Sequence, residues 1–122
     1  DNISCLIFDE RLTIDVFAMD TYFTLRTLKV SERKSIYDRF KYLSKEYNFL
    51  MIVELLSLSI FKIGGIEIGE THETRKMLLE SKSIVVFFFY QHYSDLEQKI
   101  NNAAEALEHY VESEESKYYW NL

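Results

Sequence analysis

The sequence predicts an all-α single domain over residues 1–122, a bundle of about five helices around a buried central helix at 49–63. Three observations predict it. The run FLMIVELLSLSIFKI, Phe49 to Ile63, is apolar at nearly every position, with charge only at Glu54 and Lys62. Proline is absent, and the three glycines all fall between Gly64 and Gly69. Two further segments carry apolar residues at steps of three and four, which is helical spacing.

A helix that is apolar on all sides either spans a membrane or forms the centre of a domain. At roughly 1.5 Å per residue the central run is about 22 Å long, against roughly 30 Å of bilayer hydrocarbon. Glu54 would sit near the middle of that lipid. No membrane span is therefore expected. The missing prolines argue the same way. Average usage of about 5% gives roughly six, and an all-β chain with many turns uses several. Long helices joined by short polar turns need none.

In chain order, residues 2–30 admit two readings. Leu12, Ile14, Val16 and Ala18 alternate with Thr13, Asp15, Phe17 and Met19, but Phe17 and Met19 spoil a polar strand face. Leu12, Val16, Met19 and Phe23 also fall at helical spacing, with Asp9 as N-cap. A helix over Glu10 to Thr27 is expected, with short strands as the alternative, since TYFTLRTLKV has high β propensity.

Ser31 then caps a helix in which Ile36, Phe40, Leu43, Tyr47 and Leu50 form one stripe. Gly64 or Gly65 supplies the left-handed cap of the central helix. A short extended link follows at 66–70, and Thr71 caps the next helix. Ile84 to Tyr90 is a second central element, read as helix because no turn residue separates it from Met77. Ser94-Asp-Leu-Glu97 matches a capping box and marks a boundary. Leu96, Ile100, Ala103, Leu107 and Tyr110 follow as a narrow seam with small Ala103 and Ala104, suited to close helix contact within the domain or between two copies. Residues 112–122 form an acidic and aromatic tail.

A hydrophobic content of 48%, with 16% aromatic residues, excludes a disordered chain. One cysteine, Cys5, allows no internal disulfide, and a reducing, cytoplasmic setting is expected. The net charge of −6 is unevenly spread. Asp1 to Leu25 holds five acids against Arg11, for −4, and Arg26 to Lys45 holds seven basic residues against Glu32 and Asp38, for +5. Ser94 to Leu122 holds seven acids against Lys99 and Lys117, for −5. A basic middle between acidic ends closes on itself or meets a charged partner.

No complete catalytic, metal or nucleotide motif is present. His72-Glu73 begins like HExxH, but the fifth position is Lys76. Glu105 and His109 share a helix face without the second Glu-x-x-His of a di-iron site. The glycines fit no phosphate-binding loop, and Cys5 lies in the apolar run ISCLIF as a structural thiol. No metal, cofactor or catalytic residue is expected. Glu54 requires a cationic partner or a rim position, because an unpaired buried carboxylate costs several kcal/mol.

The function expected is a small intracellular, non-enzymatic protein-interaction domain of adaptor, inhibitor or immunity type. It binds a protein partner or itself through Tyr118, Tyr119, Trp120, Leu107 and Tyr110, since Tyr and Trp are enriched at interface hot spots. The alternative is a nucleic-acid-binding regulator using the basic helix 31–47 through Arg33, Lys34, Lys41 and Lys45. A second alternative is a small hydrolase-type enzyme with Glu54 and a histidine such as His92 as acid and base.

Overall fold

The computed structural model describes residues 10–43, 45 and 48–120, with side chains described as far as His109. Cys5 and Asp9 lie outside the described residues. The chain is α+β, which corrects the all-α expectation. Strands β1 (Thr13–Ala18) and β2 (Thr21–Arg26) form a hairpin, followed by helices α1 (Val30–Phe40) and α2 (Asn48–Ser59). A second hairpin, β3 (Ile60–Ile63) and β4 (Ile66–Glu67), leads to α3 (Thr71–Glu80) and α4 (Ser83–Trp120). The four strands make one antiparallel sheet in the order β1-β2-β3-β4.

Four expectations about elements fail. The basic helix expected over 31–47 ends at Phe40, and Lys29 rather than Ser31 stands at its N-cap. The helix expected over 10–27 is the first hairpin. Its register pairs Val16 with Phe23 and Ile14 with Leu25, so the alternating residues face the core as strand residues do. The central helix expected over 49–63 stops at Ser59, and the chain passes directly into β3. Gly64 and Gly65, at φ 61° and 81°, close the β3–β4 hairpin instead of capping a helix. The boundary expected at Ser94 is absent. Helix α4 runs through it without a break, because a capping sequence acts only where the chain enters a helix. The real break lies upstream, at Ser81. Its backbone is extended, and its hydroxyl donates to the Met77 carbonyl at 2.7 Å.

The inner face of the sheet packs on α2 and α4. Val16, Phe23, Leu25 and Ile60 meet Val53, Leu55 and Leu56 of α2 and Val86, Phe89 and Tyr93 of α4. The Phe23 and Phe89 rings meet edge to face at 4.8 Å. The greasy run at 49–63 is thus swallowed as expected, but as helix and strand together. Only one face of Ile84 to Tyr90 is buried, with Ile84, Phe87 and Phe88 on the surface. Among the described residues no helix is long and apolar enough to cross a membrane.

Phe89→Ala removes a ring with no exposed surface and is expected to cost about 3–5 kcal/mol. Phe88→Ala, its exposed neighbour, is expected to cost about 1 kcal/mol or less. Urea denaturation of the two variants checks this, and equal losses would contradict the assigned helix faces.

Candidate protein-interaction surface

The β1–β2 turn consists of Met19 and Asp20, both at positive φ, 51° and 61°. A two-residue hairpin loop of this hand favours Asn-Gly, because a side chain at positive φ crowds its own backbone. Asp20 tolerates this region, but Met19 does not, and the left-handed conformation costs it about 1–2 kcal/mol. The strained turn holds the Met19 side chain out, 62% exposed. Beside it, Ala18, Met19, Ile84, Val85 and Phe88 line an open groove of about 300 Å³, apolar throughout.

The groove joins two rigid elements. One wall is the end of the hairpin, fixed by the sheet. The other is the first turn and a half of α4, fixed by Val86 and Phe89 beneath it. Ile84 is 73% exposed on this wall, and Phe87 and Phe88 are half exposed. The His92 ring stands edge-on to Phe88 at 4.8 Å, and Phe49 of α2 meets Phe87 at 6.0 Å. On the outer face of the hairpin, Phe17 and Tyr22 pair across the strands at 5.0 Å, both exposed. Exposed aromatic and aliphatic surface therefore wraps the hairpin tip and reaches the start of α4. Contiguous apolar surface of this kind is a candidate binding site.

The charged residues form a different pattern. Glu54 on α2 faces Arg75 of α3, with Nε 2.6 Å from Oε1 and Nη2 2.9 Å from Oε2. Arg39 of α1 lies 3.7 Å away. Glu97, buried on α4, accepts the Leu28 N–H at 3.0 Å and faces Arg33 at 3.5 Å. Glu32 accepts two hydrogen bonds from Arg11, at 2.7 and 3.0 Å, and one from the Lys29 N–H. Burial alone would raise the Glu32 pKa, but Arg11 and the Lys29 N–H outweigh it and hold the carboxyl below its ordinary range. The Tyr93 hydroxyl is pushed far above its ordinary pKa, first by burial and then by the Glu97 carboxylate.

These contacts place the residues singled out from sequence. Arg33 is engaged by Glu97, and Lys41 meets Asp38 at 3.4 Å and the Tyr42 ring at 5.0 Å. Lys34 and Lys45 are exposed. Glu54 has the cationic partners that its burial requires, and they are arginines. His92 packs on Phe88, so among the described residues no Glu54–His92 pair is assembled. The ligand atoms of Glu70, His72 and Glu73 lie within 4.8 Å of one another, all exposed, at the positive end of α3. Helix polarity there opposes a cation. Leu107 is 48% exposed on α4. Tyr110, Tyr118, Tyr119 and Trp120 belong to the same helix, but their side chains lie outside the described set.

The groove residues did not emerge from the sequence, although a signal was present. Phe17 sits at an outward position of β1 and Met19 in the turn after it, where a solvated hairpin would carry polar residues. VVFFFY holds more aromatic surface than one helix face can bury. Comparison with protein-family models, curated proteins and solved structures finds no match.

Two of the shifted groups, Glu32 and Tyr93, give opposite pH limbs. Glu32 has a depressed folded pKa, so its contribution is full above the ordinary carboxylate range and is lost as pH falls through it. Glu32→Gln should flatten the acid limb of stability. Tyr93 has a raised folded pKa, so stability should fall as pH rises past about 10, where unfolded tyrosine ionises. Tyr93→Phe should reduce that fall, and the partly buried Tyr90, also raised, contributes the rest. Urea midpoints between pH 3 and about 11 check both, and a Tyr93→Phe profile identical to the parent would contradict the alkaline assignment.

Proposed function

We propose that this chain is a non-enzymatic protein-interaction domain that seats an apolar segment of a partner protein in the groove between the β1–β2 tip and α4. One observation carries the reading. A strained turn keeps Met19 exposed beside an open, wholly apolar groove. Backbone strain persists only where surrounding structure enforces it, and it gathers at functional sites. Met is also the side chain best able to adapt to an irregular apolar ligand.

The charge of the chain selects the kind of ligand. At −6 overall it is repelled by anionic lipid surfaces, which disfavours insertion of the patch into a membrane. The nucleic-acid alternative has less support. Arg33 and Lys41 are engaged by acids of the same chain, and Lys34 and Lys45 remain. The hydrolase alternative loses its acid–base pair. An adaptor or inhibitor role agrees with a preformed apolar groove on rigid elements, where binding orders little of the protein.

Met19→Asn separates binding from folding. Asparagine tolerates positive φ, so the variant should be as stable as the parent or more stable, by about 0.5–1 kcal/mol. It should nevertheless lose partner capture by a photo-crosslinking side chain placed at Phe88. Capture of one discrete protein in the native cell, lost on Met19→Asn and also on Ile84→Asp, is the expected result. Capture that survives both substitutions, or none at Phe88 in a folded protein, would reject the groove as the interface.

A further inference from the structure

Helix α4 is 38 residues long, yet its role in the core ends early. Val86, Phe89, Tyr93, Leu96 and Glu97 are buried, and past Glu97 no described side chain is. The helix then continues for 23 residues, Gln98 to Trp120, or about 34 Å at roughly 1.5 Å per residue. Helices in proteins owe most of their stability to the packing of an amphipathic face, and this arm has no such packing among its described side chains. It also carries an apolar seam. Ile100, Ala103, Leu107 and Tyr110 follow at steps of three, four and three, flanked by Ala104 and Val111. Leu107 stands 48% exposed on it.

We infer that this arm pairs with the same arm of a second copy, antiparallel, to form a twofold dimer. The seam repeats every 3.5 residues, as a two-helix contact requires. Arm length then selects among the registers. If the tip at Trp120 stops where the partner's body begins, at the level of Glu97, position 107 lies opposite position 110 of the other copy. That register puts position 104 opposite 113, position 103 opposite 114, and position 100 opposite 117. Leu107 and Tyr110 make the centre, and the small Ala103 and Ala104 let the backbones approach. The whole overhang is used, with no residue of the arm left beyond the contact.

Charge decides the direction. The arm carries Glu105, Glu108, Glu112, Glu114 and Glu115 against Lys99 and Lys117. A parallel pair would set the Glu112–Glu115 stretch beside its own copy, and like charges repel. The antiparallel pair moves each acidic stretch toward the other body. At that level α1 presents the exposed Lys34, next to Arg33, which Glu97 engages. The acidic end of one copy is thereby brought to the basic middle of the other, which satisfies both halves of the charge pattern. A twofold pairing also closes on itself and leaves no free end to polymerise.

The inference does not rest on the groove, and the two fail separately. Multi-angle light scattering of the full chain should give twice the 14.6 kDa chain mass. Leu107→Asp should weaken the dimer at least roughly tenfold while leaving crosslinking at Phe88 unchanged. Direction is read by disulfide trapping in a Cys5→Ser background. Ile100→Cys mixed with Lys117→Cys should form a cross-copy disulfide, and neither variant should trap with itself. A single-chain mass up to about 100 μM, a dimer insensitive to Leu107→Asp, or self-trapping of Ile100→Cys would each overturn the antiparallel arm pair.

Discussion

The fold depends on one junction, where α2 becomes β3 with no loop between them. Ser59 ends the helix and Ile60 begins the strand. Two hydrogen bonds fix the change. The Ser59 hydroxyl donates to the Arg26 carbonyl at 2.6 Å, and Arg26 Nε donates to the Leu58 carbonyl at 3.0 Å. Each side of the junction thus satisfies a backbone carbonyl of the other, close to side chains that have left water. An unpaired polar group there would cost about 1–3 kcal/mol. The tie sets β3 against β2, and β3 in turn makes β2 an interior strand. Without it the helix would continue toward Gly64, and Phe23 and Leu25 would lose the neighbours that cover them. A bulge between Thr24 and Leu25 accommodates the crossing, and the Arg26 guanidinium lies over the Phe61 ring at 4.9 Å.

Helix α1 is held by a different force. Ile36 is its only fully buried side chain. Its position is set by charge: Glu32 to Arg11, Arg33 to Glu97, and Arg39 to Glu54. Each pair joins α1 to a different part of the chain. Arg33 and Arg39, two of the seven basic residues of 26–45, are therefore spent inside the molecule, as fastening between layers. Exposed pairs of this kind are weak. Glu54 and Glu97 are different, because little of either is in contact with water, and removal of Arg33, or of Arg75 and Arg39 together, would leave a desolvated carboxylate. The need of Glu54 for a cationic partner was legible from its place in an apolar run. Which cation would answer it was not, since Arg75 and Arg39 come from separate helices.

The rest of the fold was legible in proportion to how far a pattern was local. Ile84 to Tyr90 is helix as expected, despite the break at Ser81 upstream, but the stripe expected from Ile36 to Leu50 stops with α1 at Phe40, so spacing was a partial guide. The run 49–63 offered none. When every position is apolar, a period of 3.6 and a period of 2 fit equally well, and Ser59 looks like any other small residue. Gly64-Gly65 between Ile63 and Ile66 was readable as a hairpin turn, but an assumed helix before it made it look like a cap. The first hairpin was obscured by its own turn. Met19-Asp20 carries no turn signature, and Phe17 sits where a solvated strand would be polar. The two residues that hid the strand are the two that build the exposed surface. Local sequence rules are broken most readily where a site needs them broken.

That conflict also explains why the two exposed apolar regions should behave differently. The groove at the hairpin tip stands on the sheet and on the packed half of α4, so its walls keep their places whether or not anything is bound. The strain in the turn is offset by the core below it, which is where Phe23 and Phe89 meet. The arm has no such foundation. Beyond Glu97 its helical state depends on what covers the seam, so ordering and association are one event. A surface of the first kind selects its ligand by shape and binds with little entropic cost. A surface of the second kind has an affinity that includes the free energy of forming a helix, and therefore weakens on heating well before the core melts. A thermal transition confined to the arm and dependent on protein concentration follows from the same accounting of buried surface that places the core at Phe89 and ends it at Glu97.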